Sequence, residues 1–158
     1  MKLSPRVVVV TLVVTVLGFL AEPNGPLGSM WRPEPSFPKP EGAQLALFMF
    51  LGAVEALALG LGISFLLFGR ATVRETATTG KSLAGAAHLA IAWFLVNWWA
   101  HDSLHQHVGM NLVGLLWIEY AFHMTLIVAA IVIAIYFLAV TRGSAAPVTD
   151  AARDVIPA

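Results

Sequence analysis

The chain has 158 residues, 58% of them hydrophobic and 11% charged, with nine Lys and Arg balancing nine Asp and Glu. Soluble domains carry ~25% charged residues, so this composition indicates a polytopic membrane protein of one compact domain, and zero net charge points away from a nucleic-acid partner. The absence of cysteine excludes disulfides, thiolate metal sites, iron–sulfur clusters and thiol nucleophiles.

The first apolar stretch, Val7–Ala21, is rich in Val and Leu. A bilayer core needs ~20 apolar residues as helix, and Ser4 with Pro5 can open this one, which extends it to residues 5–21. With Lys2 and Arg6 as a charged end, it also has the form of a signal peptide. No small-x-small cleavage pattern precedes Glu22, which favours a retained anchor. Six of the nine prolines then fall between Pro23 and Pro40. Such density cannot continue a helix, so residues 22–42 are expected to form an extended outer loop. Trp31 and Phe37 would anchor it in the headgroups, and it is a candidate docking segment for a partner.

A second helix is expected over residues 43–69. Gly52, Ala56 and Gly60 recur every four residues, and Ala58 pairs with Gly62 in the same way; small residues at this spacing let helices approach closely in lipid. Glu55 interrupts the stretch about eleven residues in, ~17 Å along the helix. It is either a self-contained polar group or, with His88 of the next helix, an intramembrane polar or proton site. A short Thr-rich connection leads to a third helix over 82–107, and Gly109 supplies a turn into a fourth over 110–141. Residues 143–158 read as a disordered cytoplasmic tail.

The chemistry concentrates on either side of Gly109. Asn97, His101 and His105 recur every four residues, as do Asn111, Leu115, Glu119 and His123. A helix puts such positions on one face, so a hairpin at Gly109 sets two polar stripes against each other. Ionisable groups inside a membrane segment are costly and mark a site by default. In an antiparallel hairpin running from Gly109, His101 comes level with Trp117 and Asn97 with Ala121, bringing Glu119 and His123 within a turn. The expected metal ligands are His101, His105, Glu119 and His123. Asn97, Asp102 and Asn111 would orient them from behind. Three imidazoles and a carboxylate suit Zn, Fe or Cu rather than Ca or Mg. His107 lies off the stripe and reads as a solvated loop histidine. Trp93, Trp98, Trp99, Trp117 and Tyr120 form either an outer aromatic belt or the lining of a ligand pocket.

Seven of the nine Lys and Arg (Lys2, Arg6, Arg70, Arg74, Lys81, Arg142, Arg153) fall on one side of this arrangement, against Arg32 and Lys39 on the other. The positive-inside rule then places both termini in the cytoplasm and the Gly109 bend outside. The expected molecule is an all-α bundle of four transmembrane helices (residues 1–142), multi-pass in the cell membrane. Three functions compete. The first is a transition-metal site in a metalloenzyme or in the metal-binding subunit of a membrane complex or homo-oligomer. The second is a non-catalytic accessory or assembly subunit whose polar residues form an interhelical zipper. The third is b-type haem held by His88 and His123, which come level if the third helix stops at Ala100. The sequence holds no Walker loop, Gly-x-Ser-x-Gly elbow, His-Glu-x-x-His or dinucleotide fingerprint.

Overall fold

The computed structural model describes residues 4–28, 40–76 and 80–144. Helices and turns are the only regular structure among them: α1 (Pro5–Ala21), α2 (Gly42–Phe68), α3 (Arg70–Thr76), α4 (Lys81–Val108), α5 (Leu112–Glu119), a π-helical turn (Tyr120–Met124) and α6 (Thr125–Ser144). Three spans are long and apolar enough to cross a membrane: α2, α4 and the run Leu112–Arg142 that joins α5 to α6. α1 is apolar but shorter, at 17 residues. Proline at its first position fits because that N–H has no helical partner.

α1 packs along α2 through a row of small and hydroxyl side chains. On α1 the row is Thr11, Thr15, Gly18 and Glu22, and on α2 it is Ser64, Gly60, Ala56 and Gly52. Thr11 and Ser64 share a hydroxyl hydrogen bond of 2.7 Å. A methyl group added at Gly18 would sit 3.4 Å from Ala56 Cβ, and one at Gly52 would sit 2.8 Å from the Glu22 carboxyl carbon. One added at Gly60 would run into the Thr15 hydroxyl. The four-residue spacing of Gly52, Ala56 and Gly60 thus serves the contact expected of it. Between helices in lipid, dispersion contacts and interhelical hydrogen bonds of ~0.6–2 kcal/mol hold the assembly.

A second face of α2 carries Glu55 and Gly62 toward α4. Gly62 lies against Leu95 and Val96, 2.9 Å from Leu95 Cβ to the position its own Cβ would take. At the far end of this interface Val73, Ala84 and Ala87 form a small core with Phe65 and Tyr136, and the Tyr136 hydroxyl donates to the Val73 carbonyl at 3.1 Å. α6 packs on α4, and most of its remaining surface is exposed: Ile127, Val128, Ile131, Ile135, Phe137 and Leu138 are each at least half open.

Several expected boundaries shift. The connection after residue 69 is mostly helix, as α3. The fourth segment starts at Leu112 rather than 110, because Asn111 caps it, and its regular winding breaks at the π turn. Glu22–Gly28 is a series of tight turns, with Gly25 N donating to Glu22 O at 2.7 Å and Leu27 N to Leu20 O at 2.9 Å. The rest of the expected loop, Trp31 and Phe37 included, and the tail beyond Ser144 lie outside the described residues.

Candidate metal centre

The hairpin closes at Gly109, whose φ of 59° is a conformation that glycine reaches without the strain a side chain would add. α4 continues unbroken to Val108, so His101, His105 and His107 all belong to the helix. His107 is exposed on it rather than in a loop. Beyond the turn, α5 and the π turn bring Glu119, Phe122 and His123 back against α4. The contacts are displaced from the simple antiparallel register. His101 packs on the rings of Phe122 and His123, at centroid distances of 5.5 and 5.1 Å, instead of meeting Trp117. The later start of α5 and the π turn both move residues beyond 119 toward the bend.

Four expected ligands are brought together. His105 Nε2 lies 3.0 Å from His101 Nε2 and 3.3 Å from Glu119 Oε1. One donor atom each from His101, His105 and Glu119 converges so that all three lie within 4.8 Å of one another. His123 takes a different part: its Nδ1 pairs with the second Glu119 oxygen. Asp102 stands behind His101, whose Nδ1–H donates to Asp102 Oδ1 at 3.3 Å. His101 is the most enclosed of the set, with 16% of its side chain exposed, whereas Glu119 is 43% exposed and opens the site to one side.

With Nδ1–H of His101 committed to Asp102, its Nε2 presents a lone pair. Glu119 as carboxylate offers only lone pairs. His105 Nε2 faces both, so one N–H at most is available to satisfy two acceptors. A cation among the three would accept a lone pair from each. Ligand nitrogens on a tetrahedral metal with ~2.0–2.1 Å bonds stand ~3.3 Å apart, close to the spacing found.

Other expected residues fall elsewhere. Asn111 caps α5, its Oδ1 accepting from Val113 N at 3.1 Å and Gly114 N at 3.2 Å, so it orients no ligand. Asn97 is 1% exposed, one turn below His101, and neither side-chain polar atom has a hydrogen-bond partner among the described residues. Glu55 does not meet His88. It lies on the side of α2 near Asp102, while His88 Nε2 donates to the Leu66 carbonyl at 3.1 Å and its ring packs on Phe65. His88 also lies thirteen residues before His101 on α4, ~20 Å down the axis, so it does not face His123 across one macrocycle. The aromatic group divides. Trp93 donates to Thr125 Oγ1 at 3.0 Å and stacks on Phe122, and Trp99 donates to the Gly18 carbonyl at 3.1 Å. Trp98, Trp117 and Tyr120 point outward, as belt residues do.

Glu22 stands at the start of the expected outer loop. It is buried where α1 ends, with its Oε1 unpartnered. Burial pushes its carboxyl up to about 7, and the neighbouring Asp102 charge adds to the effect. The recurrence of Thr11, Thr15, Gly18 and Glu22 on one face of α1 was the available signal. Comparison with known families, with curated proteins and with solved structures finds no match for this chain.

Proposed function

We propose that this chain is a multi-pass protein of the cell membrane that holds one transition-metal ion at the outer end of the α4–α5 hairpin. The ligands are His101, His105 and Glu119, and His123 holds the second oxygen of Glu119. The observation that carries this reading is the convergence of two imidazole nitrogens and a carboxylate oxygen that one N–H cannot satisfy. The donor set is that of catalytic zinc with two histidines and a glutamate, and of non-haem iron with two histidines and one carboxylate. Three protein ligands leave a coordination position open, and the half-exposed Glu119 side gives access to it. A metal there would act as a Lewis acid toward water or a small oxygen ligand. The chain's own residues enclose His101 on all but a small part of its surface and fix its tautomer through Asp102. This supports a metalloenzyme, or the metal-bearing subunit of a membrane complex.

Elemental analysis of detergent-purified protein tests it. Wild type should carry about one Zn, Fe or Cu per chain, and the His101→Ala, His105→Ala double variant should carry none. Equal metal in the two preparations would leave the interhelical zipper as the role of these residues.

The same reading puts α1, α2, α4 and the α5–α6 run across the bilayer, with both termini in the cytoplasm. At 28 and 31 residues, α4 and the Leu112–Arg142 run are ~42 and ~46 Å long. Both exceed the ~30 Å hydrocarbon core, which lets the histidine end stand at the outer headgroups. Cysteine at the exposed Met110 should react with an impermeant thiol reagent on intact cells, and cysteine at Glu75 only after permeabilisation. The opposite pattern would invert the topology.

A further inference from the structure

Glu22 at the end of α1, Glu55 of α2 and Ser103 of α4 are each more than nine-tenths buried, with 5%, 7% and 1% exposed. Helix packing sets them in one layer. The Glu22 carboxyl fills the groove over Gly52, its Oε2 2.8 Å from where a Cβ would stand. Glu55 follows Gly52 by three residues and so neighbours it on the surface of α2. Gly62 of α2 lies against Leu95 and Val96 of α4, and Phe65 against His88, so the two helices run in opposite directions. Seven residues make two turns to within ~20°. Two turns from Gly62 toward the Gly109 end therefore bring Glu55 level with Asp102 and Ser103, on the sides that face each other. Trp99, one turn before Ser103, donates to the carbonyl of Gly18, one turn before Glu22, which brings α1 into the same layer.

The layer carries uncompensated negative charge. No basic side chain pairs with Glu22 or Glu55 among the described residues. Glu22 also caps the C-terminus of α1, where the last carbonyls form the negative end of the helix dipole. The Ser103 hydroxyl is an independent sign of a ligand. It is the most enclosed of the three groups, and like Glu22 Oε1 it has no hydrogen-bond partner among the described residues. An enclosed polar atom without a partner is costly, whatever its charge.

We propose that Glu22, Glu55 and Ser103 form a second cation site, for Ca²⁺, which ties the end of α1 to α2 and α4. Two carboxylates balance the charge of one divalent ion, and the hydroxyl adds a neutral oxygen. An all-oxygen donor set suits Ca²⁺, which also tolerates irregular geometry better than Mg²⁺ does. The site uses none of the histidine ligands and does not depend on the proposed function.

The thermal midpoint of detergent-purified, chelator-treated full chain, followed at pH 8 against Ca²⁺ concentration, tests the proposal. Wild type should be stabilised with an apparent Kd on the order of 10⁻⁴–10⁻³ M. Glu22→Gln and Glu55→Gln should each weaken binding about tenfold or more, because ligand charge sets the affinity. Ser103→Ala should weaken it about threefold, as the loss of one neutral oxygen would. Gln for the exposed Glu41 should change nothing. In chelator Glu22→Gln should melt above wild type, and saturating Ca²⁺ should reverse the order. The His101→Ala, His105→Ala double variant should respond to Ca²⁺ as wild type does, whether or not the histidine centre holds a metal.

A wild type indifferent to Ca²⁺ would overturn the proposal and leave the two carboxyls neutralised by protons. So would a response that survives Glu22→Gln and Glu55→Gln together, a Ser103→Ala variant with wild-type affinity, or a response lost with the two histidines.

Discussion

Gly60→Leu should destabilise the protein by about 3 kcal/mol or more, the upper range for overpacking a close contact. Gly60 lies in a close approach of α1 to α2: its missing side chain is replaced by the Thr15 hydroxyl, and the Thr11 carbonyl stands 2.5 Å from where a Cβ would be. The obstruction on one side is backbone, which cannot rotate away. Relief requires α1 to move off α2. That movement breaks the Thr11–Ser64 hydrogen bond and the Trp99 donation to the Gly18 carbonyl. Leu61, one residue on and 44% exposed, is the control: Leu61→Ala should change the thermal midpoint in detergent little. Equal effects of the two changes would show that α1 is not seated on α2 in the mature protein, the outcome expected of a cleaved leader.

Glu22→Gln should stabilise the protein above neutral pH and do nothing at acid pH. The folded-state value of about 7 lies above the ordinary value of 4.5, because burial opposes the charge and Asp102 repels it. Below about 4.5 Glu22 is protonated in both folded and unfolded chains and costs nothing. Between 4.5 and 7 the unfolded chain loses its proton first, so the folded state is progressively penalised. Above 7 the penalty is complete. At 1.36 kcal/mol per unit the full effect is at most about 3 kcal/mol. Glutamine keeps the shape against Gly52 without the charge. Thermal midpoints of wild type and Glu22→Gln should therefore coincide at pH 4 and separate progressively to pH 8, with the variant higher. A variant equal to or below wild type at pH 8 would mean that the Glu22 carboxyl is not confined as described.

The membrane-helix character, the glycine turn and the candidate ligand positions were legible because each depends on local spacing. A 20-residue apolar run has few alternatives once lipid is the solvent. Gly109 is the only glycine between Gly85 and Gly114, so the hairpin had one place to turn. His101 with His105, and Glu119 with His123, share a face whatever the rest of the chain does, because four residues make about one helical turn.

What the spacing could not supply was the phase between helices. Asn111 lies on the same stripe as Glu119 and His123, yet its preference for capping a helix start took it out of the site. The π turn at Tyr120–Met124 has no proline or glycine to announce it, and it decides which residues meet His101. Spacing alone leaves Glu55 either self-contained or paired with His88, because both are isolated polar groups in apolar helices. The α2–α4 crossing brought Glu55 to Asp102 and left His88 on a backbone carbonyl.

Local patterning implies an all-helical chain with spans long enough for a bilayer, a hairpin at Gly109, and an imidazole–carboxylate pair of stripes along it. Those follow from hydropathy and from a period that one strand of backbone imposes on itself. Helix packing makes His101, His105 and Glu119 converge while His123 braces Glu119, and it sets acids from α1 and α2 behind the candidate site. Those contacts depend on how separate helices are rotated and shifted against one another. In lipid that rotation is set by where small residues such as Gly52, Gly60 and Gly62 let backbones touch.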